Sequence, residues 1–289
     1  MTEAAERSNT VLPNVLLTSA TEVGTMKSAL RLALLTSFAL ACTARAHEIK
    51  ILASKFTAAK AGEKTTIYLS WGHRLPVDDL IDGSSIDRFE LVPPDGKPVA
   101  LKKQDYSLQA NAVELPGNGL HQAVVTRKIT VYTTVIDGDG NRQLKRGPKT
   151  SVIEGKIDHT LRSVQTAKAV IRVGPASAEA VKPLGLDVEI VPLDGPAQWK
   201  KDKDIRVQVL VNGKPLAFAS VLARTIDFKP DNAWSYATTT NRQGEATLRP
   251  NRSGTWVVKV NTKVDATGAA LKDYDYTSYT TTLALEIEP

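Results

Sequence analysis

The residues with the most chemistry to offer in this 289-residue chain are its four histidines, His47, His73, His121 and His159. Imidazole is the commonest nitrogen donor to divalent transition metals, and two of the four stand in telling places. His47 follows Ala44-Arg45-Ala46, a small-x-small sequence of the type cut on export. Cleavage after Ala46 makes His47 the first residue, with its own α-amine and a ring nitrogen ready to close a chelate ring on one ion. Cleavage after Ala44 leaves Arg45-Ala46-His47 instead. Its amine, two deprotonated amides and imidazole form a square-planar set suited to Cu(II) or Ni(II). Either chelate needs an unprotonated amine, so affinity should fall as pH drops below about 7–8. His73 lies in Ser70-Trp71-Gly72-His73-Arg74, at the end of a strand-like run. If 47–54 and 64–70 pair antiparallel, the start of the first meets the finish of the second, and His47 meets His73. His121 and His159 read first as structural, either being eligible as a third donor. Glu48 should point to the opposite face from His47. The competing reading makes His47 a bystander after a cleavage site and His73 a strand-end histidine bonded to a carbonyl.

The elements upstream set the context. Met26 to Arg31 is short and basic, and Leu32 to Ala41 is an apolar run of ten residues. With the cleavage sequence these make a signal peptide over 26–46. The run is far shorter than the roughly 20 residues that span a bilayer. We expect a periplasmic location, Met26 as the true start, and residues 1–46 absent from the mature chain. Cys42, the single cysteine, leaves with the leader, and a lipid anchor at Cys42 is the second reading. The mature chain, without cysteine or transmembrane helix, must be held by buried apolar surface. Residues 1–46 carry four basic and three acidic groups, leaving 33 against 28, a net +5. These charges are interspersed with few aromatics, which argues against nucleic acid as a partner.

The mature sequence is rich in Val, Ile, Thr and Tyr between Gly, Pro, Asn and Asp turns, the composition of an all-β protein. We expect two β-sandwich-like domains in tandem: 47–174, carrying the metal site, and 186–289, joined by the Pro/Ala/Gly-rich linker 175–185. In the first, 47–54, 64–70 and 88–101 read as extended, with Pro94-Asp95-Gly96 as a turn, and 121–137 is the longest extended stretch. Residues 158–174 read as a helical turn capped by Asp158 that becomes a strand. In the second, seven short strands (186–192, 204–211, 216–224, 235–240, 245–249, 255–262 and 279–287) fit an immunoglobulin-like sandwich.

Enzyme motifs are missing: no G-x-S-x-G, P-loop, G-x-G-x-x-G or H-E-x-x-H occurs. Asp137-Gly138-Asp139-Gly140-Asn141 imitates a calcium loop, but Arg142 stands where the glycine belongs and Pro148 where the glutamate belongs. We read it as a hairpin turn. The carboxylate pairs Asp78-Asp79 and Asp273/Asp275 read as solvated, and Trp71, Trp199, Trp234 and Trp256 as packing residues.

A signal peptide ending at Ala46-His47-Glu48, then Gly72-His73-Arg74, Pro94-Asp95-Gly96-Lys97, Ala167-Lys168-Ala169 through Gly174, Leu186 to Pro192 and Val211 to Ala217 resemble a family of bacterial periplasmic proteins catalogued as a domain of unknown function. The family is linked to nickel and cobalt uptake and is similar to the periplasmic portion of nickel-transport accessory subunits. The C-terminal part also resembles a transthyretin-like sandwich, through Asn212 to Leu216, Thr240 to Gly244, and Gly254 with Trp256. The resemblance implies a non-catalytic metal-handling protein that binds Ni, Co or Cu, with Zn acceptable, through His47 and His73. It would serve a separate membrane transporter or outer-membrane receptor. The alternative is a secreted adhesion or binding module for a glycan or protein partner.

Overall fold

The computed structural model describes residues 47–289 apart from 77, 106 and 229–232. The signal peptide, its cleavage sequence and Cys42 lie outside the described residues. The chain is all-β. Among the described residues the helical turns are short 3-10 segments, and no helix is long and apolar enough to cross a membrane.

In chain order the strands begin with β1 Glu48–Ala53, β2 Thr57–Ala58, β3 Lys64–Gly72, β4 Ile86–Val92, β5 Val99–Ala100 and β6 Ala110–Glu114. Then come β7 Gly119–Arg127, β8 Thr130–Ile136, β9 Arg142–Arg146, β10 Lys156–Val173, β11 Val188–Pro192 and β12 Ile205–Val211. The rest are β13 Lys214–Pro215, β14 Ser220–Thr225, β15 Tyr236–Thr239, β16 Glu245–Leu248, β17 Gly254–Asp265 and β18 Tyr276–Ile287. They form three sheets. A small one orders β1-β3-β6, a four-stranded one joins β11, β12, β13 and β16, and an eleven-stranded one holds the rest.

The large sheet lies at the centre because successive side chains in a strand point to opposite faces. From β10, Ala167, Ala169 and Ile171 join Phe89, Leu91 and Val125 against Ile49, Ile51 and Ile67 of the small sheet. From the same strand Val170 turns the other way, with Val258, Leu283 and Leu285, against Ile190, Val207 and Val209 of the four-stranded sheet. Both faces of the middle strands are therefore covered, and long stretches of β10 and β18 are buried on successive residues.

Three expectations change. Residues 158–174 contain no helical turn, because β10 is extended from Lys156. Thr160, Val164, Thr166, Val170 and Ile171 are β-branched, and the strand is paired with β8, β7, β2 and β18. The stretch 121–137 is broken at 128–129 into β7 and β8, which pair with opposite ends of β10. β10, with 18 residues, is the longest strand among those described. Finally, the strands flanking 175–185 share one sheet, since β10 and β18 run parallel from Leu161↔Tyr276 to Ala169↔Ala284. Residues 46–289 form one compact unit, in which Val181 is buried in the core.

Candidate metal centre

The antiparallel pairing of β1 with β3 runs from Glu48↔Gly72 to Ala53↔Ile67. One step beyond it stand His47 and His73. Their rings are 4.8 Å apart between centroids, tilted by 39°. Two imidazoles on one ion, each about 2.0–2.1 Å from it, have ring centres about 4.5–5 Å apart for angles near 90–109°. The observed centroid separation lies within that range.

Local contacts hold this corner in place. Gly72 has φ +112°, a backbone region that favours glycine, and it turns the chain out of β3. Asp78 then accepts the backbone N–H groups of His73 at 2.6 Å and Arg74 at 3.3 Å. These bonds hold its carboxyl below the usual range. The returning chain bonds Asp79 N–H to the Trp71 carbonyl at 3.0 Å, and Asp79 Oδ2 comes to 3.7 Å from His47 Nε2. Trp71 stacks on His47 with centroids 5.5 Å apart. The Arg127 guanidinium covers Trp71 at 4.3 Å from the ring centre. Behind His47, Gln165 Nε2 donates to its carbonyl at 3.1 Å. Beneath the corner, Lys50 Nζ donates to the Gly72 carbonyl at 2.7 Å.

Glu48 faces inward, away from the histidines, as alternation requires. It is 3% exposed and ion-paired with Lys50 and Lys259. Sequence alone did not reveal that these charges are internal. His73 is held below the ordinary imidazole pKa, first by burial and then by His47. A neutral ring keeps the lone pair that a metal needs.

The other two histidines are elsewhere. His121 pairs with Ile171 on β10, six residues from Gln165 and so about 20 Å along the strand at ~3.3 Å per residue. It is fully buried, and its Nε2 bonds the Pro116 carbonyl at 2.8 Å. His159 lies six residues from Gln165 the other way. It contacts Thr134 Oγ1 at 3.3 Å and Asp158 at 3.0 Å, and stacks on Tyr276. Neither reaches the His47–His73 pair, because each is six residues of extended β10 away from Gln165, which lies behind His47; His121 and His159 are not third donors. Among the described residues no group of three or more His, Cys, Asp and Glu is arranged to hold a metal. Further donors would have to be water, Asp79 after a rotation, or an α-amine if the chain is cut just before His47.

Asp78, Asp79 and Asp273 are exposed, as read from the sequence, although Asp78 and Asp79 also take part in organising the corner. Asp275 is half-buried; it accepts the Thr160 N–H at 2.6 Å and pairs with Lys149. Asp137 organises the hairpin turn between β8 and β9 through N–H bonds from Asp139 and Asn141. Trp199 and Trp256 are core residues.

The profile of a family described as a domain of unknown function, DUF4198, matches residues 44–264. This chain belongs to the DUF4198 family. The match starts just before His47 and takes in both histidines of the corner. No curated protein matches the chain. Among solved structures, the D00-D0 domain of intimin aligns over 83% of this chain and 100% of its own, with 15% identity and a TM-score of 0.18. That likeness is too slight to carry an argument. Nothing in these comparisons ties the chain to nickel or cobalt uptake.

Proposed function

We propose that this protein is a non-catalytic, exported metal-binding protein. It takes a divalent transition metal at the His47–His73 corner and serves nickel- or cobalt-type uptake through a separate transporter. The observation that carries the reading is the 4.8 Å separation of two imidazoles at the sheet end where export would leave a free amine. Supporting it, Asp79 Oδ2 stands 3.7 Å from His47 Nε2, a small rotation away from the carboxylate–imidazole hydrogen bond that orients metal-binding histidines. That leaves Nδ1, the nitrogen able to close a ring with the α-amine. Neutral nitrogen donors suit Ni(II), Co(II), Cu(II) and Zn(II), so the choice among them rests on the resemblance in sequence.

Titrating the exported chain with NiCl2, CoCl2 and ZnCl2 by calorimetry tests the reading, with its first residue fixed by intact mass. Saturable one-to-one binding is expected, weakened by His47→Ala or His73→Ala by more than the roughly 10–100-fold that loss of an outer-shell partner brings. An uncut leader, or titrations unaffected by both substitutions, would overturn it. Retention on a glycan or protein resin without any metal response would point to the adhesion alternative.

A further inference from the structure

We propose that a cleft beside this corner binds a small organic acid with a hydroxyl or amino group next to its carboxylate. The cleft measures about 380 Å³ and opens between the adjoining ends of β4 and β7, the middle of β10 and residues 185–187. That volume lies in the range of small-molecule sites. Its cations are Arg88, Arg127 and Lys128, and its carboxylates are Asp87 and Asp187.

Arg88 is committed to Glu90 at 2.6 Å. Arg127 has no carboxylate partner among the described residues. Its guanidinium lies over Trp71, and its Nε is buried without a hydrogen-bond partner. A guanidinium with one face on an aromatic ring keeps its N–H edge for a planar acceptor, and carboxylate is the best match. Gln165 supplies the complementary need. Its side chain is 6% exposed, and Nε2 donates to the His47 carbonyl. A carbonyl only accepts, so this bond fixes the orientation of the amide. Oε1 is then buried without a partner. Buried polar atoms are nearly always satisfied. Here an orphan donor and an orphan acceptor belong to residues lining one cleft. A carboxylate oxygen with a neighbouring O–H or N–H answers both, and Asp87 and Asp187 favour the ammonium form of an amino group.

The walls of the cleft are built by internal contacts. The β4–β7 ladder shifts register between Ile86 and Arg88, and the bulge at Asp87 re-aims the side chains around it. The opposite wall hangs on Glu189, 1% exposed. It accepts the N–H groups of Leu184, Gly185 and Leu186 at 2.9–3.4 Å while paired with buried Lys168 at 2.7 Å. Thr166 Oγ1 donates to the Val188 carbonyl at 2.6 Å, tying that wall to β10. The inference is independent of the metal reading.

Calorimetric titration of the full exported chain with L-malate, L-aspartate and succinate, in the presence of EDTA, tests it. One-to-one binding of L-malate or L-aspartate is expected. Succinate, which lacks the extra donor, should bind at least about tenfold more weakly. Arg127→Met should abolish binding, Arg127→Lys should weaken it about tenfold or more, and Gln165→Leu should erase the preference over succinate. No saturable heat with any of the three acids, equal binding of succinate and L-malate, or wild-type binding by a folded Arg127→Met or Arg127→Lys chain would each overturn it. The Lys variant decides if the Met variant does not fold.

Discussion

His73 titrates below the ordinary imidazole value because burial, and then the charge on His47, disfavour its cation. His47→Ala removes that charge and opens the corner, so the His73 pKa should rise, read from its ring resonances in an NMR titration. An unmoved midpoint would mean the two rings do not interact in solution. His121 makes a second residue-scale case. It is fully buried and donates from Nε2 to Pro116. Nδ1 is without a partner, and burial holds its pKa below 6.5. As pH falls through about 6.5 the unfolded chain gains a proton that the native chain resists, so stability drops with acid. The urea midpoint should decline from pH 7 to pH 5, and His121→Gln should flatten part of that decline. Sequence placed His47 and His73 together because strand pairing follows from alternation and a short connection. It could not place Asp79 or Arg127, which reach the corner through a folded-back loop and through a different sheet.

At the scale of elements, the corner depends on the turn out of β3. A methyl group at Gly72 would come within 3 Å of the Asp78 side chain, at a φ of +112°. Gly72→Ala should therefore lower the melting temperature and also displace His73, weakening any Ni(II) titration beyond the loss of stability. The 184–186 segment depends in the same way on the Lys168–Glu189 pair. Glu189→Ala leaves a buried ammonium and three N–H groups without their acceptor, and should cost about 3–5 kcal/mol in urea unfolding. Lys168→Met with Glu189→Leu should recover a large part of that loss, because no uncompensated charge remains. The strands after residue 186 were legible because their turns are chemically explicit and their alternation is regular. β10 was misread at its start. Asp158 imitates a helix cap, and only the partners on both edges of the strand show that it is extended.

For the whole molecule, the central sheet joins what the linker composition suggested was separate. β10 and β18 pair across the 175–185 segment, and the core on each face draws on strands from both halves. Residues 46–289 should unfold in one cooperative transition, with equal calorimetric and van't Hoff enthalpies. Two resolved transitions would show independent domains. A 186–289 fragment should aggregate when expressed alone, because it bares the β18 edge that β10 covers. The sequence by itself determined the all-β class, the strand and turn positions of the second half, the meeting of His47 with His73 and the absence of enzyme motifs. These are local properties, set by side-chain period, turn residues and pairing of near neighbours. Only the tertiary structure decided that one sheet is shared, that Glu48, Lys50, Lys168 and Glu189 are internal charges, that His121 and His159 stand far from the corner, and that Arg127 and Gln165 line one cleft. Those facts depend on which distant strands become neighbours, and long-range pairing leaves no periodic trace in the chain.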